Sequence, residues 1–565
     1  MTAAVPEPAA AELADRLVDV LFDADPLRAS LLGFHDRDAE LPDLSETAER
    51  ALAGRLRELA AAAGRVDRNK LDSAARLTLD VVTAVAAHGA DVADTRRPEW
   101  QVTDLWEGSA AAVLLFLPLV TMPEPAQAEA YLDRLRRLDG YLRAATDRQL
   151  AGVGTGRRPV ARLVRAAIVQ VDGYLAAPET DPLRGPEPPP GWDGAARFGR
   201  ELDEVLARVV RPAFRRYRDR LADAVEPASR DDEHVGLCWL PDGEQLYRTL
   251  TRTHTTTSRT PEDLHATGLA LVARLAQEYA DLGGRVFGLT DPAEVMRRLR
   301  DDPALRCTSA EQMLDEARRA ITRAEEAAPR WFASRPPQPC EVRPVPAAEA
   351  ARAPLAYYLP AALDGSRPGT YWQNTRDPAG QPRHVLQFTA YHEAVPGHHF
   401  QSALAQDMQE APLLRRIVEF DAFDEGWALY AERLADEMGL YTDDLARLGM
   451  LSGDSLRASR LVVDTGMHAL GWSRATAVDF LRTNTPLAPA DIEVEIDRYI
   501  AVPAQALAYM VGRLEIQRMR ADAEQQLGSS FDIRRFHDAV LGAGSLPLSV
   551  LADRVDASLH EGRDS

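Results

Sequence analysis

Cysteine and lysine are almost absent from this chain of 565 residues. Only three cysteines occur, and no two of them have the C-x-x-C spacing. This count and spacing argue against a disulfide framework and against a cysteine zinc site. Lysine occurs once, at Lys70, and the formal net charge is −21. Nonspecific nucleic-acid binding depends on basic residues that neutralise phosphates, so we expect no nucleic-acid partner.

Long hydrophobic runs are also missing. The most apolar segment, residues 110–122, is too short to cross a bilayer and contains Pro118. The first residues lack a basic region followed by a long apolar stretch, so they do not resemble a signal peptide. We therefore expect a cytoplasmic protein without a membrane partner. Hydrophobic residues make up 45% and charged residues 27% of the sequence, which is typical of a soluble globular protein.

Helical periodicity dominates the remaining pattern. Apolar residues near the N-terminus recur at helical spacing, as at Leu13, Leu17, Val20 and Leu21. Residues 177–194 are rich in proline and glycine and predict a loop or linker. From residue 334, proline, tyrosine and turn residues predict short strands, with DGSRPG (364–369) as a turn. Helices resume after residue 385.

These patterns predict a large, mainly α protein with a small antiparallel sheet before residue 385. The N-terminal helical lobe would span residues 1–333 and include the loop at 177–194. The catalytic lobe would span residues 334–565 and hold the sheet and the metal-site helices. The length is sufficient for several units with their own cores.

The sequence YHEAVPGHHFQ (391–401) holds three of the twelve histidines. His392 and Glu393 begin like the zinc motif H-E-x-x-H, but Pro396 stands where the second histidine belongs. Histidine and carboxylate are natural zinc ligands, and a catalytic site uses three of them with one position left for water. Glu393 would take a proton from that water. The alternative is a surface loop that happens to be rich in histidine.

Two later histidines compete for the second ligand position. On a straight helix, His398 would lie about 240° around from His392, and His399 roughly 10.5 Å along the axis. Neither could comfortably share zinc with His392. Pro396 prevents a straight helix, because it lacks an N–H and its ring collides with a carbonyl of the preceding turn. Gly397 permits a tight bend, so either histidine could reach the metal.

A third ligand is available in FDAFDEGWALYAERLADEMG. Glu425 opens this helical pattern 33 residues after His392. Glu432 returns to nearly the same helical face two turns later. We expect Glu425 to bind the metal and Glu432 to be a hydrogen-bond partner of a ligand histidine. The alternative is an ordinary solvated acidic helix.

Two further segments contain candidate catalytic and substrate-binding residues. A tyrosine or histidine aimed at the reacting carbonyl would stabilise the developing oxyanion, which makes Tyr509 and His468 candidates. Arg498 could hold a substrate carboxylate. Tyr499 and Gln505 complete the candidate substrate-binding residues. Packing or surface hydrogen bonding is the alternative role for each of them.

Five ordered motifs resemble the bacterial domain-of-unknown-function 885 (DUF885) family: DGSRPGTYWQNT, YHEAVPGHHFQ, DEGWALYAE, VVDTGMHALGW and RYIAVPAQALAYMVG. The family is regarded as zinc metallopeptidases, similar in helical cleft architecture to angiotensin-converting enzyme, oligopeptidases and thermostable carboxypeptidases. The resemblance therefore implies a two-lobed metallopeptidase-like helical fold, with the small sheet beside the active-site cleft. The resemblance implies that His392, Glu393 and Glu425 have the roles proposed above. Relatives with H-E-x-G-H place the second ligand at the G-H pair, which favours His398. His399 would then point to the substrate or to a second carboxylate.

One residue departs from the family pattern. The family usually has P-G-Q where this chain has Pro503, Ala504 and Gln505. If the glycine is needed for a positive φ, Ala504 strains the turn.

We therefore expect a zinc-dependent hydrolase with one Zn²⁺ per chain that cleaves peptide or related amide bonds. The substrate would be a peptide or a small amide. One alternative is an enzyme of small-molecule biosynthesis that hydrolyses or forms amides on the same scaffold. Another is a catalytically silent metal-binding helical protein, which the presence of Glu393 opposes. The sequence assigns no oligomeric state.

Overall fold

Helices make up most of the structure, a computed structural model that describes residues 9–347, 350, 353–363 and 367–561. The mainly α fold class with a small sheet is confirmed. Part of the predicted DGSRPG turn, residues 364–366, lies outside the described residues. No described helix is both long and apolar enough to span a membrane.

The chain forms two compact units. The first consists of Met1–Thr249, Met467–Ala475 and Asp497–Pro503, and the second of Leu250–Gly466, Thr476–Ile496 and Ala504–Ser565.

Residues 250–333, assigned from the sequence to the N-terminal lobe, therefore belong to the second unit. Helix Pro261–Phe287 explains this, because it packs along helix Asp444–His468. A Cβ on Gly268 would meet the side chains of Leu461 and Val462.

From residue 9, where the described part of the first unit begins, ten α-helices follow one another before α11. They are α1 Ala10–Ala24, α2 Pro26–Leu31, α3 Glu46–Arg65, α4 Ser73–Asp94, α5 Ser109–Phe116, α6 Pro125–Arg136, α7 Leu138–Gly154, α8 Ala161–Ala176, α9 Ala195–Val205 and α10 Arg211–Arg220. Helix α11 (Gly243–Thr255) ends in the second unit. The loop at 177–194 lies inside the first unit. The hydrophobic core of this unit includes Leu135, Val164, Val171, Val210, Phe214 and Leu221.

The second unit contains the remaining helices. They are α12 Pro261–Phe287, α13 Pro292–Asp301, α14 Ala310–Ala327, α15 Leu386–Glu393, α16 His398–Gln406, α17 Leu413–Ile417, α18 Asp421–Glu437, α19 Asp444–His468, α20 Arg474–Asn484, α21 Pro489–Ala501, α22 Ala508–Leu527, α23 Ile533–Leu541 and α24 Leu548–Glu561. The last residues of α19 and α21 and the first of α20 belong to the first unit. Helix α18 is central, since it is buried on almost every side.

Among the described residues before α15, the chain forms three short strands, as the change in sequence texture predicts. They are β1 Glu341–Pro344, β2 Ala356–Leu359 and β3 Thr370–Gln373. The order is β1-β3-β2, with β1 parallel and β2 antiparallel to β3. The sheet is therefore mixed, and the expectation of a purely antiparallel sheet is corrected. A tight hairpin joins antiparallel strands, whereas parallel strands need a longer connection. The long segment between β1 and β3, which contains β2, provides that connection.

Ala504 adopts a left-handed conformation, with φ 71° and ψ −15°. Its N–H donates to Asp464 Oδ1 at 3.1 Å, so the turn is tied to α19. A residue with a Cβ is disfavoured in this conformation by about 1–2 kcal/mol. The strain expected from the sequence is therefore located at this turn.

Ala504→Gly should raise the free energy of unfolding by about 0.5–1 kcal/mol. Relief of the left-handed strain exceeds the extra entropy that glycine loses on folding. Ala521→Gly, an exposed position inside α22, is the matched control and should lower stability by about 1 kcal/mol. Urea unfolding of the three proteins measures both effects. An Ala504→Gly variant less stable than the parent would contradict this account.

His537 is buried beside the central helix. Its Nε2 lies 3.0 Å from the Tyr430 hydroxyl and its Nδ1 lies 2.8 Å from the Trp331 carbonyl oxygen. Burial lowers the pKa of His537 to about 3, although the hydrogen bond to Trp331 opposes the shift. The folded protein therefore holds this imidazole neutral, whereas the unfolded chain binds a proton below about pH 6.5.

Stability from neutral His537 should be present above pH 6.5 and be lost as the pH falls toward 3. Between pH 7 and pH 5, His537→Gln should lose about 2 kcal/mol less unfolding free energy than the parent. His234→Gln, at a half-exposed histidine, should follow the parent. Denaturant titrations at the two pH values test this. An equal loss in all three proteins would refute it.

Candidate metal centre

The histidine cluster lies at a break between two short helices. Helix α15 ends at Glu393 and α16 begins at His398, so the break falls at the predicted place. A Cβ on Gly397 would collide with the carbonyl oxygens of Tyr391 and His392, so only glycine fits there. The indole N–H of Trp427 donates to the Pro396 carbonyl at 2.8 Å and ties the break to α18.

The break turns His398 toward His392. Their ring centroids are 4.9 Å apart and the rings are nearly perpendicular, at 89°. On a straight helix two histidines six residues apart would point in different directions. In H-E-x-x-H the two histidines lie one turn apart on a single helix. Here His392 lies near the end of α15 and His398 at the start of α16, and the break between the helices brings them together.

Helix α18 brings Glu425 to the same place. Gly426 and Gly512 allow α18 and α22 to cross closely, because a Cβ on either glycine would meet backbone atoms of the other helix. Glu425 Oε2 lies 3.6 Å from His392 Nε2 and 3.4 Å from His398 Nε2. The three ligand atoms lie within 4.8 Å of one another.

These three residues fit a zinc ion. Ligands about 2.0–2.1 Å from a tetrahedral zinc are separated by about 3.3 Å, close to both measured nitrogen–oxygen distances. The Glu425 Oε2 atom is buried and has no hydrogen-bond partner among the described residues. A buried carboxylate oxygen without a partner is costly, and a cation at this point would remove that cost. Two imidazoles and one carboxylate suit a zinc site with an open fourth position.

Charge at the site is strongly coupled. Burial lowers the pKa of His392, but contacts with Glu425 and Glu432 outweigh burial and raise that pKa to about 9. Burial raises the pKa of Glu425, but His392 and His398 outweigh it and hold the pKa well below its usual range. Without metal, His392 is therefore protonated on both ring nitrogens at neutral pH. A metal would have to displace the proton on Nε2.

Glu432 orients His392 from behind. His392 Nδ1 donates to Glu432 Oε1 at 2.8 Å, which leaves Nε2 to face Glu425 and His398. The Glu432 side chain is completely buried. This contact agrees with the prediction from the sequence that Glu432 is a hydrogen-bond partner of a candidate ligand histidine. Such a carboxylate fixes the tautomer of the histidine.

Glu393 and His399 contact the strand β2 through Tyr358. The backbone N–H of Tyr358 donates to Glu393 Oε2 at 3.0 Å, which fixes one oxygen of the carboxylate. His399 Nδ1 lies 3.1 Å from the Tyr358 hydroxyl, and Nε2 lies 3.1 Å from the Gln338 carbonyl oxygen. Both ring nitrogens of His399 therefore point away from the other metal-site residues. These contacts favour His398 as the ligand, and the predicted substrate contact of His399 stays a prediction.

Most of the chain matches a known protein family. A family described as "Bacterial protein of unknown function (DUF885)" matches residues 26–555. The chain belongs to the DUF885 family. A search of curated proteins finds no match to it.

Two solved structures share the DUF885 chain's fold. A "putative lipoprotein" from Colwellia psychrerythraea has a TM-score of 0.91 and 26% identity, covering 98% of this chain and 99% of its own. A "putative lipoprotein of unknown function" from Shewanella oneidensis has a TM-score of 0.74 and 19% identity, covering 97% and 99%. The whole DUF885 chain therefore corresponds to these folds, including both units.

Two of the remaining candidates lie in the second unit of the DUF885 chain. Tyr509 begins α22 and is almost fully buried. The Arg460 guanidinium lies over its ring at 4.5 Å, and that of Arg457 at 5.9 Å. Gln505 lies just before α22. Arg457 also approaches Glu432, so Tyr509 is connected to the metal-site residues through one side chain.

His468, Arg498 and Tyr499 lie in the first unit. His468 Nδ1 accepts from the Leu237 N–H at 3.1 Å, and Nε2 lies 3.0 Å from the Tyr499 carbonyl oxygen. Burial lowers the pKa of His468 to about 4, so the ring is neutral. The Arg498 guanidinium lies 5.8 Å from the centre of the Trp106 ring. The catalytic and substrate-binding roles of these three residues stay predictions, which the contacts described do not support.

Sequence reasoning assigned no role to Tyr358. It placed Arg457 on the same probable helix as His468 but gave it no individual role. The contact of Tyr358 with Glu393 depends on the register of β2, which one sequence does not reveal. Arg457 lies one helical turn before Arg460 on α19, and its distance from Glu432 depends on tertiary packing.

Zinc should stay bound in His399→Ala and be lost from His398→Ala, because of these two histidines it is His398 that faces Glu425. Glu425→Ala should also lose zinc. Glu432→Ala should weaken zinc affinity by about 10–100-fold, since it removes an orienting carboxylate and no ligand. Metal analysis after equilibration with defined free zinc measures all four. Loss of zinc from His399→Ala alone would reverse the assignment.

Proposed function

We propose that this DUF885 protein is a zinc-dependent hydrolase that cleaves peptide or related amide bonds. The single observation that carries the proposal is the convergence of His392, His398 and Glu425, with Glu393 next to the first ligand in sequence. A site that only stored metal would have no need of a carboxylate held beside the ligands.

The residues of this chain supply the proton chemistry. When bound, zinc would supply positive charge that activates water and polarises the carbonyl of the substrate. Glu393 would accept a proton from the attacking water and deliver it to the leaving nitrogen. Hydrolysis breaks the C–N bond, places the OH of water on the acyl carbon and returns its hydrogen to the amine.

Two contacts prepare Glu393 and His392 for these roles. The N–H of Tyr358 holds Glu393 Oε2 at 3.0 Å and so limits rotation of the carboxylate. The Glu432 carboxylate keeps the proton of His392 on Nδ1, so that Nε2 is available to a metal. Such preorganisation lowers the cost of reaching the transition state. Tyr509, close to Arg457, is our candidate for a hydroxyl that stabilises the oxyanion.

Substrate and location follow as parts of the proposal. The substrate is a peptide or a small amide, and an amide-forming or amide-hydrolysing biosynthetic enzyme is the alternative outcome of substrate screening. The cytoplasmic location stays a prediction, since both related structures carry names that describe lipoproteins.

Glu393→Gln should keep about one zinc per chain and lose at least about 1,000-fold in hydrolysis, since glutamine cannot accept the proton. Zinc content and cleavage of a peptide library, before and after chelation, provide the measurement. Glu325→Gln, a carboxylate outside the triad on α14, is the control and should stay active. Full activity in Glu393→Gln would remove it as the base. Zinc binding without cleavage of any peptide or amide would overturn the hydrolase.

A further inference from the structure

Arg457 lies directly behind the first metal ligand. Its Nη2 is 3.9 Å from Glu432 Oε1, the oxygen that accepts the hydrogen bond from His392. Its Cζ is also 5.9 Å from the centre of the Phe388 ring. Phe388 precedes His392 by one helical turn, so the two side chains are neighbours on α15. Two independent contacts therefore place this guanidinium beside His392.

The hydrogen-bonding capacity of Arg457 is largely unused. A guanidinium has five N–H donors. Within the described residues, Arg457 makes one long hydrogen bond, from Nη1 to the Gly453 carbonyl at 3.5 Å. Its Nε is buried without a partner. Glu432 is too distant for a hydrogen bond with it.

Other arginines of the same unit are paired more closely. Arg433 and Arg513 both bond to the buried carboxylate of Asp454. Arg460 donates to Glu495 at 2.9 Å. Arg457 alone among these four has no carboxylate within hydrogen-bonding distance in the described structure. Its contact with Glu432 is a long ion pair at 3.9 Å, so its N–H donors remain available to an anionic partner from outside the chain.

The surroundings of Arg457 suit a carboxylate. Phe388 and Tyr509 flank the guanidinium, and apolar rings strengthen an ion pair by excluding water. The planar fork of donors matches both oxygens of a carboxylate. The Arg457 side chain is 12% exposed, while those of His398 and Glu425 are 19% and 21% exposed. All three side chains thus retain access to solvent.

We propose that Arg457 binds the free C-terminal carboxylate of the substrate, which makes the enzyme an exopeptidase acting at C-termini. This inference rests on the proposed function. The 3.9 Å contact with Glu432, the 2.8 Å hydrogen bond from His392 to Glu432 and one imidazole ring separate Arg457 from His392 Nε2. Extended chain covers about 3.3–3.6 Å per residue, so one or two residues bridge this span. The hydrolysed bond is then the last or the last but one amide of the chain.

A matched pair of substrates tests the proposal: an N-acylated tripeptide with a free carboxylate and the same tripeptide as its carboxamide. Zinc-loaded parent should show kcat/KM about 30-fold higher for the acid, the range expected for a charged hydrogen-bonded pair. Arg457→Gln should reduce this ratio to about 1, and Arg457→Lys should keep part of it. Arg447→Gln, at a solvent-exposed site on α19, should keep the parent ratio.

A purely structural role would lower the rates for both substrates equally and leave their ratio unchanged. That result would overturn the proposal. Loss of zinc from both Arg457→Gln and Arg457→Lys would also overturn it, because Arg457 would then act only by holding Glu432.

Binding measurements separate this inference from the proposed function. Zinc-loaded Glu393→Gln and Glu393→Gln/Arg457→Gln are titrated calorimetrically with the acid and the carboxamide. The single variant should bind the acid about 30-fold more tightly, and the double variant should bind both equally. If the parent cleaves neither substrate, the hydrolase fails while this preference still supports Arg457. Equal or undetectable binding of both ligands by the single variant refutes the role of Arg457.

Discussion

The hydrogen bond from His392 to Glu432 joins the two helices on which the candidate metal site depends. Glu432 lies on α18, which is buried on almost every side, and a buried charge there is costly without a partner. His392 and Arg457 supply compensating polar contacts. The same bond selects the ring nitrogen that faces Glu425. The buried carboxylate of Glu432 therefore fixes the orientation of the His392 ring.

The break between α15 and α16 is the second constraint. Pro396 and Gly397 end one helix and start the next, and Trp427 ties their connection to α18. His398 is then the first residue of a new helix, where its side chain is free to turn toward His392. His399, one position later, packs against the sheet through Tyr358. The two adjacent histidines therefore have different environments: the side chain of His398 faces Glu425, and that of His399 faces Tyr358.

Local sequence patterns predicted much of this arrangement. Helical periodicity gave the fold class, and the chemistry of proline and glycine predicted the break. Spacing alone selected Glu425 and Glu432, because seven residues return to one helical face. The choice between His398 and His399 needed the resemblance to a family, since both are compatible with a bent chain.

Long-range packing accounts for what the patterns missed. Residues 467–475 and 497–503 join the first unit although they are far from it in sequence, so no boundary near residue 333 could describe the division. The parallel pairing of β1 with β3 and the contact of Tyr358 with Glu393 depend on register. His468 looked like a catalytic histidine in sequence, yet backbone groups engage both of its nitrogens.

X-ray absorption at the zinc edge tests the central claim most directly. Protein loaded with one equivalent of zinc should show a four-coordinate shell of nitrogen and oxygen at about 2.0–2.1 Å, with outer-shell scattering from two imidazoles. Sulfur in the first shell, a six-oxygen shell, or scattering from fewer than two imidazoles would contradict a site formed by His392, His398 and Glu425.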